Sequence, residues 1–198
     1  MRKLRSRIFG LLPVFVLTAA LGGLLYLLSP ERDMPFASGI PSGKTDKLLR
    51  DLGFQPYPFQ ESVDGLALKN INGNEIRLSE LRGKVVFLNF WTTWCPDCRI
   101  EMPSLEKLHA RFKNKNFAMF AVNLKEPPEQ VQKFFSSHQL TFTGLLDPDG
   151  IIASKMAIRA LPTTLIIAKN GTVLGMALGS RPWDGKKSIA LFEHLVDQ

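Results

Sequence analysis

Two rhythms of apolar and polar residues run along the chain. The first is a solid block: residues 8–28 hold no charge over 21 positions, and at a helical rise of 1.5 Å each they reach about 31 Å, the thickness of a hydrocarbon core. This predicts one transmembrane anchor over 8–28. A cleaved signal peptide is the competing reading. Its apolar region runs about 7 to 15 residues and ends at small residues, whereas here Leu24-Leu25-Tyr26-Leu27-Leu28 follows at once on Ala20-Leu21-Gly22. The basic tail 1–7, with Arg2, Lys3, Arg5 and Arg7, is expected to stay cytoplasmic. That places everything after the anchor on the extracytoplasmic, periplasmic side. Pro13 and Gly22-Gly23 are tolerable in a membrane helix.

The second rhythm occupies 61–198, where period-2 and period-3.6 stretches alternate. Such alternation predicts an α/β domain with a mostly parallel sheet. Leu66-Ala67-Leu68 and Glu75-Ile76-Arg77-Leu78 flank an Asn72-Gly73 turn and read as a hairpin. Val85-Val86-Phe87-Leu88-Asn89-Phe90-Trp91 is an almost continuous apolar run, expected of a central strand buried on both faces. A helix over 95–113, a strand over 117–123 and a helix over 128–138 follow. A short segment around 147–156, a strand over 163–168, an Asn170-Gly171 turn, a strand over 172–178 and a helix over 186–196 complete the order. Between the two rhythms, 29–60 is rich in proline and glycine and reads as a linker. Within it, 45–52 places Leu48, Leu49 and Leu52 at helical spacing, as for a short helix on the domain or membrane surface.

Composition fits this plan without adding to it: 45% apolar and 22% charged residues in 198 suit one globular core plus appendages. The net charge of +7 changes the picture only until its location is considered. Four of the 25 basic residues precede the apolar block, leaving 21 against 18 acidic ones. No basic stripe with interleaved aromatics remains to follow a phosphate backbone, so nucleic-acid binding is not expected.

The candidate chemistry sits where the central strand hands over to a helix, at Trp94-Cys95-Pro96-Asp97-Cys98, and the chain has no other cysteine. Residues three apart in a helical turn have Cα atoms about 5 to 6 Å apart, within disulfide range. Cys95 falls at the helix N-terminus, where free N–H groups and the macrodipole favour thiolate, which makes it the expected nucleophile. Pro96 suits the first turn because its missing N–H would go unused there. Asp97 suits the dipole but opposes the thiolate. Two other uses of the pair stay open. A structural disulfide is one, although so small a loop stabilises little. A metal site is the other, although no second cysteine pair exists and His109, His138 and His194 lack ligand spacing. No metal ligand set and no cofactor are expected.

Cys98, Glu101, Leu105, Leu108 and Phe112 share one helix stripe, which puts a carboxylate among side chains that must be buried. Burial raises a carboxyl pKa toward neutrality and suits Glu101 to take the proton from Cys98 and return it. The alternative is that Glu101 turns sideways into water or supports the first helical turns. Pro103 removes one backbone bond a turn into this helix.

At these residues the sequence resembles the thioredoxin superfamily, and within it the membrane-anchored TlpA/ResA type of thiol-disulfide oxidoreductase. The likeness runs from about Pro56 to the C-terminus. It is carried by Pro56-Tyr57-Pro58-Phe59, Leu78-Ser79-Glu80-Leu81-Arg82-Gly83-Lys84, Asn89-Phe90-Trp91-Thr92-Thr93-Trp94-Cys95-Pro96-Asp97-Cys98-Arg99, Glu101-Met102-Pro103 and Leu161-Pro162-Thr163. It implies a thioredoxin-like fold, with a central mixed sheet flanked by helices and an N-terminal hairpin extension. It also implies a cis bond at Leu161-Pro162 facing the CxxC, leaving the Leu161 backbone free to pair with an extended substrate. Trp94, Pro96, Asp97, Leu161 and Pro162 are then the expected substrate-binding residues, and Cys95, Cys98 and Glu101 the catalytic ones. Trp91 reads as core and Trp94 as exposed contact surface.

The resemblance implies an extracytoplasmic enzyme that reduces disulfides in exported proteins, apocytochrome c among them, and so serves cytochrome c biogenesis. With no third cysteine it needs an outside electron source, expected to be a membrane thiol donor of the CcdA or DsbD kind. Competing functions are a thiol oxidase running the same chemistry backward, a membrane-tethered binding module without redox turnover, and a copper chaperone. A peroxiredoxin fits less well, because Thr92-x-x-Cys95 matches half of its PxxxTxxC signature while position 88 is Leu.

Overall fold

The structure is a computed structural model in which residues 43–58 and 63–198 are described. The basic tail, the anchor expected over 8–28 and the first part of the linker lie outside the described residues. Among the described residues no helix is long and apolar enough to cross a membrane.

The hairpin forms where the Asn-Gly signal puts it. Strands β1 (Ala67–Asn70) and β2 (Glu75–Arg77) pair antiparallel, and the Asn70 side chain accepts from the backbone N–H groups of Asn72 and Asn74, both at 2.9 Å. Gly73 supplies the left-handed residue of the turn, at φ 86°. Beyond it come β3 (Val85–Trp91), α2 (Pro96–Phe112), β4 (Phe117–Leu124), α3 (Pro128–Ser137), β5 (Thr143–Asp147), α4 (Ile151–Lys155), β6 (Thr163–Ile167), β7 (Val173–Leu178) and α5 (Lys186–Asp197). A helix ahead of the hairpin, α1, spans Lys44–Asp51.

All seven strands join one sheet in the order β2-β1-β5-β4-β3-β6-β7. Only β3–β4 and β4–β5 are parallel, while β1–β2, β1–β5, β3–β6 and β6–β7 are antiparallel. The sheet is thus mixed, as the resemblance implies, and not mostly parallel. The helix–strand alternation that suggests parallel crossovers holds only for the middle of the chain. Strand β5 falls outside the elements that the periodicity predicts, because Thr143-Gly144-Leu145-Leu146-Asp147 is too short to show a period.

β3 is buried at every position, and its period of two splits the core. Val85, Phe87 and Trp91 join one cluster with Cys98, Met102, Leu105 and Phe192. Val86, Leu88 and Phe90 join the other with Leu68, Val122 and Leu165. Asn89 falls on the same face as Phe87 and Trp91, toward α2. It is the one polar side chain of a fully buried strand, and its register partners are Ala121 on β4 and Thr164 on β6. Residues 43–58, which composition assigns to the linker, pack on the domain. Leu49 and Phe54 are buried in the first cluster, and Gln55 exchanges two backbone hydrogen bonds with Met176, at 2.8 and 2.9 Å.

Candidate active site

The turn from β3 to α2 sets the cysteines. Cys95 is the N-cap of α2 and Pro96 its first residue, so the ring occupies a position whose N–H has no intrahelical partner. Cys98 lies one turn on, with its Cα 5.3 Å from that of Cys95, and the two sulfurs are joined in a disulfide. The Cys98 N–H donates to Cys95 Sγ at 3.2 Å. The two sulfurs are not equivalent in access. Cys98 is sealed in the core, whereas Cys95, although 95% buried, lines an open groove of about 490 Å³.

Trp94, Pro96 and Asp97 line that groove on one side, and Leu161 with Ala160 and Arg159 on the other. The structure therefore brings together all the residues expected to contact substrate except Pro162, which is buried just behind Leu161. Its carbonyl accepts from the Gly179 N–H at 2.8 Å. The Leu161-Pro162 bond is cis, as the resemblance implies. The two tryptophans part as expected: Trp91 is fully buried and Trp94 is 69% exposed.

Glu101 points inward, not into water. It is 2% exposed, one helical turn beyond Cys98 on the same buried stripe of α2. Its Oε1 accepts from Asn89 Nδ2 at 2.9 Å and its Oε2 from Trp183 Nε1 at 2.8 Å. Burial pushes the carboxyl up to about 7, against the opposing pull of the Trp183 and Asn89 hydrogen bonds, the Arg181 backbone and the Arg181 charge. At neutral pH both protonation states are populated, so the group can accept a proton and give it back. The Asn89 amide also donates to Thr164 Oγ1 at 3.1 Å. It is thus held from both neighbouring elements.

Three members of this site are not among the residues the sequence singles out as catalytic or substrate-binding. Asn89 appears in the sequence as a polar break in an apolar strand, a clue that could have flagged it. Trp183 and Arg181 lie 82 and 80 positions beyond Glu101, and nothing in their own segment announces a role. A fourth residue, Glu126, supports the loop that carries the first cysteine. Its carboxylate, largely buried, accepts from the Thr93 N–H at 2.7 Å, Thr93 Oγ1 at 2.6 Å, Asn123 Nδ2 at 2.6 Å and Gln130 Nε2 at 2.5 Å. Among the described residues no group of three or more His, Cys, Asp or Glu is arranged to hold a metal ion.

The AhpC/TSA family pattern matches residues 60–176. The chain belongs to the AhpC/TSA family. Its likeness within that family runs to proteins called thiol-disulfide oxidoreductases of the ResA type. The ResA protein of Halalkalibacterium halodurans is 39% identical over 119 residues, which cover 60% of this chain and 68% of that one. Among solved structures, a candidate thiol:disulfide interchange protein, DsbE, of Chlorobium tepidum superposes with a TM-score of 0.63 at 31% identity, covering 69% of this chain and 96% of that one. StoA of Bacillus subtilis does so with a TM-score of 0.56 at 25% identity, covering 67% and 98%. The CxxC pair of this family member stands on a thioredoxin-like frame that these relatives share.

Proposed function

We propose that this protein is a membrane-anchored, extracytoplasmic thiol-disulfide oxidoreductase that reduces disulfides in exported proteins, apocytochrome c among them. The observation that carries the chemistry is a buried carboxyl one helical turn from a cysteine sealed in the core, and that burial pushes the carboxyl up to about 7. In the reduced enzyme the start of α2 favours thiolate at Cys95, and the groove admits a substrate disulfide to that sulfur. The Cys95 thiolate attacks one substrate sulfur. A mixed disulfide forms, and the other substrate sulfur leaves as thiolate. Cys98 then passes its proton to Glu101 and attacks Cys95 Sγ. The mixed disulfide breaks, the second substrate sulfur leaves, and the enzyme is left oxidised with the substrate reduced. Two electrons have moved, and an outside dithiol must return them by attacking the Cys95–Cys98 bond. A membrane thiol donor of the CcdA or DsbD kind fits that need.

Trp94, Pro96, Asp97 and Leu161 suit the docking of an extended segment around the attacked disulfide, because they surround Cys95. Pro162 is buried and would act on the docked segment only through the backbone of Leu161. The test is a trap. In Cys98→Ala the mixed disulfide has no resolving thiol, so Cys95 should stay bonded to its client. Capture of an apocytochrome from cells making the variant is the expected result. Capture only of proteins with no role in cytochrome maturation would redirect the pathway, and an absence of any Cys95-dependent adduct would remove the mechanism.

A further inference from the structure

The family match begins at residue 60, yet residues before it contact Arg181 and Trp183, which act on the acid. We propose that residues 44–55 are a positioning element of the active site, holding Arg181 and Trp183 against Glu101. The inference rests on the reading of Glu101 as the proton acceptor for Cys98.

The chain of contacts is continuous. Arg181 donates from Nη1 to the Leu52 carbonyl at 2.8 Å and from Nη2 to the Leu178 carbonyl at 2.6 Å. Its guanidinium carbon lies 5.7 Å from the Phe54 ring and 5.4 Å from the Trp183 ring, within cation–π reach of both. The two rings meet edge to face at 6.2 Å, and the Trp183 indole N–H ends on Glu101. The segment is fastened in turn by the Gln55–Met176 backbone pair, and Lys187 Nζ donates to the Asp51 carbonyl at 3.3 Å. Gly175 is cut to fit it: a Cβ there would stand 3.1 Å from the Gln55 carbonyl oxygen and 3.4 Å from Phe54 Cβ.

The consequence for Glu101 follows from what faces it. Asn89 approaches from β3 and Cys98 from its own helix, while Trp183 and Arg181 approach from the 179–185 loop. Arg181 is the charged group acting on it. Burial favours the neutral acid, and the loop supplies most of what pulls the other way. A segment that fixes Arg181 therefore sets how readily Glu101 holds its proton.

The experiment follows the Glu101 carboxyl by 13C NMR in the oxidised full chain in detergent, with the signal assigned by its loss in Glu101→Gln. Arg181→Met should raise the titration midpoint by about half a unit. Phe54→Leu, which alters no hydrogen bond or charge acting on Glu101 directly, should raise it by a smaller, measurable amount. Gly175→Val, which pushes Gln55 outward, serves if Phe54→Leu does not fold. A midpoint that stays put or falls in the segment variants overturns the proposal even if they lower stability, because the segment is then mere support. The pH profile of mixed-disulfide resolution separates the two readings. If the midpoint rises and the profile does not follow, the positioning role stands and the proton-acceptor reading fails.

Discussion

Burial of Glu101 costs the folded protein stability wherever the carboxyl must ionise. Its ordinary value of 4.5 is raised to about 7, so between those values the folded chain holds a proton that the unfolded chain has released. Unfolding free energy therefore falls as pH rises through this window and levels off above it. A shift of that size corresponds to a loss of order 3 kcal/mol between about pH 4 and pH 8. Glu101→Gln, which cannot ionise, should remove this part of the pH dependence. Urea unfolding of the oxidised protein at both ends of the window checks it. The wild type should lose stability relative to the variant as pH rises, and parallel pH slopes would show that the carboxyl does not titrate in the core. The proposed proton-acceptor role gives this cost a use, because the burial that disfavours the carboxylate is also what brings its titration close to neutrality.

At the scale of elements, the site is held by joints between strand ends. Glu126 follows β4 and ties it to the 92–94 loop between β3 and α2, and all four of its partners are donors. A carboxylate satisfies four donors, but an amide turns an NH2 toward them. Glu126→Gln should thus cost about 1 to 3 kcal/mol, with faster hydrogen exchange at the Thr93 amide. Unchanged stability and exchange would show that the loop is held elsewhere. The same distinction explains what the sequence disclosed. Cys95, Pro96, Asp97, Cys98 and Glu101 fall within seven positions, so helical spacing alone groups them. Asn89, Trp183, Arg181 and Glu126 reach the site only through strand register and loop packing, which local periodicity does not encode. Element positions were legible for the same reason: β3, α2 and α5 carry long apolar patterns. The direction of strand pairing was not, because parallel and antiparallel strands share a period of two. β5 was lost because five residues with a glycine show no period at all.

For the molecule as a whole, the composition of 43–58 misleads about where the folded domain starts. Prolines and glycines there suggest a free tether, yet α1 lies against α5, so the start of the described chain meets its end. Thr45 Oγ1 and His194 Nε2 are 2.9 Å apart, and Gln198 Nε2 donates to Thr45 Oγ1 at 3.1 Å. Leu49 is 3% exposed, in the cluster that contains Phe192 and Leu195. A few apolar anchors outweigh a breaker-rich composition, because each buried side chain contributes more than a turn residue withholds. If α1 belongs to the cooperative unit, Leu49→Ala should cost about 2 to 5 kcal/mol, as for any leucine removed from a core. It should lower the urea midpoint with little change in the slope of the transition. If α1 is a strap that detaches before the domain melts, the midpoint should hardly move, and only the amides of α1 should lose protection. The continuous path from Leu49 and Phe54 through Arg181 to Glu101 favours the first outcome, since the elements that order the acid are the same ones that close the fold.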